Sequence, residues 1–281
     1  MRDRPILPEE MTEESDRQAT PVDQSRRLLQ AVRRGENGTA AECWEALAGW
    51  GSDRLASQLA DDDARTAFWL NVYNASVQDE LRSAPGRYAS RIRFFVASRV
   101  AVAGHTLSRN DIEHGILRRS RSVFLFGYGP RLLQSRFERV HRVDSLDPRI
   151  HFALNCGAAS CPPIQSYAAA TLDADLALAS ESYLTTEVDY ELDDGVVRVP
   201  RLFLWYRGDF GGRSGILDQL REYGRLPAGV TPKIRYKSYD WSLELDSFLD
   251  RSQVDAGSAA SEEATAGEAA SVDEAPPSTR R

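Results

Sequence analysis

The fold is decided by residues 61–82, DDDARTAFWLNVYNASVQDELR. Three aspartates open this segment, and acidic residues in a first turn favour a helix because they offset the positive end of its dipole. The middle of the segment, Ala67–Ala75, is apolar on nearly every face, which predicts a helix buried on all sides. Pro85-Gly86 then ends it. The sequence therefore predicts a long central helix against which the other segments pack.

The segments around this helix are short and of mixed type. Helical patterns run from Asp23 to Gly35 and from about Thr39 to Trp50. Hairpins are predicted at residues 99–107 and 188–199. Further strands are predicted at 123–128, 150–154 and 234–241, and further helices at 108–119, 130–142, 172–184, 201–206 and 215–223. Without a strand–helix–strand rhythm, this mixture predicts a single α+β domain, mainly helical, with short strands and hairpins around the buried helix.

Composition divides the chain into three parts. Residues 1–22 are polar and contain three prolines, which predicts a flexible N-terminal arm. Residues 23–250 have the apolar content of a globular domain. Residues 251–281 are acidic and rich in Ser, Ala and Glu, and we expect them to be disordered because they have too few apolar residues to form a core.

The charge and hydropathy patterns exclude some classes of protein. The 281-residue chain has a net charge of −7, and it lacks a run of about 20 apolar residues that could span a membrane. Its charged N-terminus lacks the apolar core of a secretion signal. We therefore expect a cytoplasmic protein with reduced thiols and no membrane partner. Nucleic acid is not expected either, because no recognition motif accompanies the arginines.

Five sequence blocks occur in a fixed order: AFWLNVYNA (67–75), NDIEHGILR (110–118), DPRIHFALNCGAASCPPIQSY (147–167), WYRGDFG (205–211) and YDWSLE (239–244). Together they resemble the DUF547 family over about residues 60–245. The last block departs from the family pattern, which has asparagine in place of Glu244. The resemblance implies that the cysteine-containing block is the family signature. It implies no mechanism, because the family is named for lacking an assigned function.

The cysteine-containing block carries the candidate chemistry. The apolar run at 150–154 is typical of a buried strand that delivers Cys156 into a tight loop, with Cys161 five residues later. Cys161 precedes Pro162, a residue favoured at the first helical position, and a helix N-terminus there would lower the pKa of the thiol. Either cysteine is a candidate nucleophile, with Asn155 as a candidate oxyanion donor. The alternative is that both cysteines are small buried core residues.

Two histidines are candidate bases for such a thiol. His114 follows Glu113 on a helix that opens with a capping box at Ser108, and His151 shares a face of the predicted strand with Asn155. The alternative for each histidine is a hydrogen-bonded structural role.

In the WYRGDFG block, the glycines predict a tight loop in which Asp209 caps the next segment.

Three functions stay open from the sequence. The first is a cysteine-dependent hydrolase or acyltransferase, and the second is a non-catalytic scaffold or protein-interaction domain. The third is a zinc or redox site at His151, Cys156 and Cys161, including a Cys156–Cys161 disulfide. No resident cofactor is expected. Residues 118–149 carry eight arginines and three acidic residues, which favours a small anionic substrate with Arg118 and Arg149 as candidate ligands.

Overall fold

A computed structural model describes residues 19–191 and 194–249. The predicted tail and most of the predicted arm lie outside these residues, as does part of the turn predicted at 193–195. The first helix begins at Pro21, two residues inside the predicted arm. The division into arm, domain and tail stays a prediction.

The helices and strands alternate irregularly along the chain. The α-helices are α1 (Pro21–Arg34), α2 (Asn37–Ala48), α3 (Ser52–Gln58), α4 (Asp62–Ser83), α5 (Arg91–Val96), α6 (Arg136–His141), α7 (Leu172–Glu187), α8 (Leu202–Trp205) and α9 (Gly212–Glu222). The strands are β1 (Val100–Val102), β2 (His105–Leu107), β3 (Asp189–Glu191), β4 (Val196–Val199) and β5 (Lys233–Tyr236). Shorter turns of helix occur at Pro85–Ser90, Asp111–Leu117, Pro148–Phe152 and Ala169–Thr171.

Helix α4 is the centre of the fold, which confirms the prediction from its sequence. The Asp61 side chain accepts a hydrogen bond from the Ala64 N–H and so caps the helix. Every residue from Thr66 to Gln78 is buried. Burial on all sides explains why the segment is apolar around its whole circumference rather than along one stripe.

Two small sheets complete a mainly helical α+β fold, as predicted. Strands β1 and β2 form an antiparallel hairpin beside α2. Strand β4 pairs antiparallel with β3 and parallel with β5, so the order of the second sheet is β3-β4-β5. This sheet and α7–α9 share a second apolar core that contains Phe152, Phe203 and Phe210.

The prediction of a strand at 150–154 is wrong, because Pro148–Phe152 is a 3₁₀-helix. The Asp147 side chain accepts from the Arg149 N–H at 2.9 Å, and Pro148 occupies the first helical position. Both features favour a helical start and outweigh the apolar run. His151 and Asn155 therefore do not share a strand face.

The helix predicted after Cys161 is also absent, since the next helical turn begins at Ala169. Pro163 follows Pro162 directly, and a residue before proline is driven away from helical angles. A helix dipole therefore does not act on the Cys161 thiol.

Two further predictions near residue 130 need correction. Residues 123–128 form turns rather than a strand, with positive φ at Phe126 and Gly127. The helix predicted at 130–142 is limited to α6, which Ser135 caps by accepting from the Glu138 N–H.

Candidate functional site

Buried amide side chains on α4 hold the cysteine loop in place. Asn74 Oδ1 accepts from the Asn155 N–H at 2.9 Å, and Asn74 Nδ2 donates to the Ala153 carbonyl at 3.0 Å. One turn earlier, Asn71 makes the same pair of bonds with the backbone of Tyr167. Irregular backbone can be buried only when its polar groups are paired. These amides therefore let a loop without regular structure lie against the central helix.

Asn155 closes the cysteine loop internally. Its Oδ1 accepts from the Gly157 N–H at 2.9 Å, and its Nδ2 donates to the Pro162 carbonyl at 2.8 Å. Gly157 has φ +86°, and a Cβ there would lie 2.9 Å from Leu81. Both ends of the Asn155 amide are therefore committed to the backbone.

The structure joins Cys156 and Cys161 in a disulfide, one of the alternatives left open by the sequence. The Cys156 N–H donates to Cys161 Sγ at 2.9 Å. Tyr239 Oη lies 3.4 Å from Cys156 Sγ and 3.2 Å from Cys161 Sγ. Burial raises the pKa of Tyr239, so its hydroxyl keeps its proton and donates to sulfur. In the described part of the chain, the hydrogen bonds of both sulfurs go to these partners and not to a histidine.

His151 is held by a buried carboxylate. Its Nε2 donates to Asp209 Oδ2 at 2.9 Å, and both side chains are fully buried. The ring stacks on Tyr206, with centroids 3.7 Å apart. Burial lowers the pKa of His151, so the ring is neutral and carries its proton on Nε2. The second nitrogen, Nδ1, has no hydrogen-bond partner among the described residues.

Arg118 supplies the positive charge of the site. Its Nε donates to Asp209 Oδ2 at 2.6 Å, and its Nη1 donates to His114 Nδ1 at 2.6 Å. Because an arginine has only donors, His114 must accept at Nδ1 and carry its own proton on Nε2. Burial, reinforced by the Arg118 charge, lowers the pKa of His114 to about 4.

Glu113 is the second buried carboxylate. It accepts from the Tyr206 hydroxyl at 2.7 Å and from the Tyr73 hydroxyl at 3.3 Å. Burial raises the pKa of Glu113, whereas His114, Arg118 and the Tyr206 hydrogen bond lower it, and the net shift is downward. Glu113 is therefore ionised and holds both hydroxyls as donors.

Several of these residues line one cavity of about 790 Å³. Its polar part contains Glu113, His114, His151 and the disulfide. The remaining wall is mostly aromatic and aliphatic, and includes Phe95, Leu154, Leu202, Trp205 and Trp241. A concave, largely apolar cavity with a few convergent polar groups is the usual form of a small-molecule site.

Comparison with known protein families decides the assignment. Residues 57–184 match the family model described as "Protein of unknown function, DUF547". The chain carries a DUF547 domain. Neither the curated proteins nor the solved structures contain a match to the chain. The match contains α4, both cysteines of the disulfide, Glu113 and both cavity histidines, which confirms the resemblance for the first three sequence blocks, whereas the blocks at 205–211 and 239–244 lie outside it.

The DUF547 cavity brings together five of the eight candidate residues. Glu113, His114, His151, Cys156 and Cys161 line it. Asn155 is 1% exposed and does not line the cavity, and its Nδ2 donates to the Pro162 carbonyl. Arg118 is 1% exposed and committed to Asp209 and His114. Arg149 pairs with Asp147 and Asp173, at the start of the 3₁₀-helix and outside the cavity lining.

Sequence reasoning missed Asp209, Tyr206 and Tyr239 as site residues. Asp209 does not cap the next segment, since α9 follows Gly211 without a side-chain cap. Instead, Asp209 accepts from His151 and Arg118. A charged residue between two glycines in WYRGDFG was the available signal, but its partners lie 58 and 91 residues away in sequence.

The zinc alternative does not fit the donors of the DUF547 cavity. His151 has its Nε2 on Asp209, and both sulfurs are joined to each other rather than available as thiolates. Among the described residues, no group of three or more His, Cys, Asp or Glu side chains has the arrangement of a metal site.

In the same residues, no helix is long and apolar enough to cross a membrane.

The stability of the DUF547 domain is expected to fall as the pH drops from 6.5 towards 4. In this range the unfolded chain takes up a proton at His114 that the folded chain does not, so acid favours unfolding. His114→Leu should destabilise the protein by about 1–3 kcal/mol near neutral pH, because Arg118 loses an acceptor. The variant should then lose less stability on acidification, as measured by urea denaturation at several pH values. If acidification lowered the free energy of unfolding equally in the wild-type and variant proteins, the lowered pKa assigned to His114 would be contradicted.

Proposed function

We propose that the DUF547 domain is an acyl-transfer enzyme, a hydrolase or acyltransferase, in which His151 is the general base. One observation carries the proposal. His151 donates its Nε2 proton to buried Asp209, its buried Nδ1 has no hydrogen-bond partner among the described residues, and the residue belongs to the cavity lining. A neutral imidazole oriented by a carboxylate is a common arrangement for removing a proton from a nucleophile.

The two cavity histidines have different roles in this proposal. The lone pair of His114 Nδ1 is taken by Arg118, so His114 is not the base that the sequence also allowed. Its proton is on Nε2, which makes it a donor. We assign it to the stabilisation of negative charge on the carbonyl oxygen of the substrate.

Cys156 is the proposed nucleophile, and it acts after the disulfide is reduced. It is half-buried, whereas Cys161 is buried. Two molecules of a small thiol reduce the bond and leave as their own disulfide. His151 Nδ1 then takes the Cys156 proton while the sulfur attacks the acyl carbon. The leaving group departs with that proton, and a thioester remains on Cys156. Water completes hydrolysis, or an alcohol completes acyl transfer.

The cavity wall favours an apolar acyl chain as the substrate class. Phe95, Trp205 and Trp241 provide aromatic surface above the polar groups. Burial of apolar surface contributes about 25 cal/mol per Å². This preference replaces the small anionic substrate expected from the arginines, because Arg118 and Arg149 are already paired with carboxylates.

A non-catalytic interaction domain is the second candidate. The observation that favours it is the pairing of Arg118 with Asp209 and of Glu113 with two tyrosines, which also closes a buried polar core. In that case the cavity binds a ligand without turnover.

The test is hydrolysis of nitrophenyl esters of short and long acyl chains, with and without a reductant. We expect turnover only after reduction, with a higher kcat/KM for the longer chains. Cys156→Ser should abolish it, and Cys43→Ala, at a cysteine outside the cavity, should not. No turnover by reduced, folded protein on any chain length would support the interaction domain. Equal rates before and after reduction would exclude the thiol as nucleophile.

A further inference from the structure

An apolar rim surrounds the mouth of the cavity. We define this rim as Ile92 and Val96 on α5 together with Val123, Phe124 and Phe126 on the loop at 123–128. All five side chains line the cavity and are exposed to solvent, Ile92 by 82% and Phe124 by 88%. Because they border one opening, they form a continuous patch rather than scattered single residues. Exposed apolar patches of this kind mark interaction sites.

The loop half of the rim is fixed to the site beneath it. The Gly208 N–H donates to the Phe126 carbonyl at 2.6 Å, next to Asp209. Gly127 has φ +84°, and a side chain there would clash with the Asp209 carboxylate. The loop therefore needs glycine at this position to close over Asp209. Phe124 and Phe126 are held in their exposed position by the backbone of the site.

Exposed arginines accompany the apolar rim. Residues 83–104 carry four arginines and no acidic residue, and two of the four, Arg87 and Arg99, pair with Glu80. Arg93 on α5 and Arg119 before the loop are exposed, and neither has a carboxylate partner among the described residues. Arg91, which is exposed and lines the cavity, adds a further positive charge beside the apolar rim.

We propose that the apolar rim binds the surface of an anionic lipid bilayer and that the cavity receives an acyl chain directly from it. Exposed Phe and Ile beside arginines suit the boundary between acyl chains and anionic headgroups. A chain that enters between Ile92 and Phe124 also passes from lipid to cavity without crossing water. The sequence predicted no membrane partner because it lacks a membrane-spanning segment. Peripheral contact with a bilayer surface does not require such a segment. Binding of this kind does not depend on turnover.

The test is sedimentation of the wild-type chain with vesicles of phosphatidylcholine, with and without phosphatidylglycerol. We expect binding to the anionic vesicles that weakens with added salt. The double variant Ile92→Ser/Phe124→Ser should bind about tenfold more weakly or worse. Arg93→Glu should reduce binding to the anionic vesicles by about fivefold or more. The matched controls are Val140→Ser on α6 and Arg235→Glu on β5, both exposed and outside the cavity lining.

Three results would overturn the proposal. The first is no binding of the wild-type chain to anionic vesicles. The second is equal loss of binding in the rim variants and their controls. The third is self-association that the rim variants abolish, without vesicle binding, which would assign the rim to contact between copies of the chain. Circular dichroism of each variant separates loss of binding from loss of folding.

Discussion

Asp209→Ala is expected to lower the free energy of unfolding by about 3–5 kcal/mol. Asp209 accepts from Arg118 Nε and from His151 Nε2, and all three side chains are 1% exposed or less. Without the carboxylate, the Arg118 charge stays buried without an ionic partner, and water cannot replace the lost bond. The cost is therefore that of an unpaired buried charge, much larger than that of one lost hydrogen bond. Urea denaturation followed by circular dichroism measures the difference.

The matched control for this variant is Asp218→Ala. Asp218 pairs with Arg221 at 2.7 Å, but its side chain is 70% exposed. Exposed ion pairs contribute about 0–1 kcal/mol, because water solvates both charges when the pair is broken. A loss at Asp209 no larger than the loss at Asp218 would contradict the assignment of Asp209 as the partner that keeps Arg118 buried.

His151→Gln is expected to lower ester hydrolysis by reduced protein by about 10²–10⁴-fold. Glutamine keeps an amide that can donate to Asp209, but it has no nitrogen able to accept a proton from the Cys156 thiol. The loss should fall mainly on kcat, because the acyl chain contacts the apolar wall rather than His151. In the wild-type protein, the rate should fall with acid only below pH 6.5, because the pKa of His151 lies below its ordinary value.

His105→Gln is the control for the His151 variant. His105 is exposed on β2, outside the cavity that holds the disulfide. Its variant should hydrolyse esters at the wild-type rate. If His151→Gln were still fully active while folded, His151 would not be the base. A variant that binds vesicles normally but lacks turnover would leave the lipid-surface proposal intact.

The parts of the fold that could be predicted are those determined by local chemistry. Helix α4 follows from its capping Asp61 and its apolar circumference, and the β1–β2 hairpin follows from its Ala103-Gly104 turn. Ser108 and Asp111 make the predicted capping-box bonds, in which each backbone N–H donates to the other side chain at 3.0 Å. The helix that follows is a π-helix rather than a regular α-helix.

The wrong predictions came from weighing the apolar pattern above local capping. Ile150–Leu154 is apolar because it is buried, and burial does not distinguish a strand from a short helix. Asp147 and Pro148 do distinguish them, as the 3₁₀-helix shows. The prediction of a helix after Cys161 was wrong for a similar reason. Pro163 drives Pro162 away from helical angles, and this effect outweighs the preference of proline for a helix start.

Sequence reasoning reached the cysteines, Glu113 and both cavity histidines, because their residue types restrict what they can do. It did not reach the roles within the site. Those roles depend on Asp209 and Arg118, which orient the two imidazoles and leave one nitrogen of His151 without a partner. The bonds join residues as much as 91 positions apart, and no local pattern encodes such a pairing. Residue type determined which chemistry was available, whereas long-range packing selected the proposed base, the proposed donor and the paired cysteines.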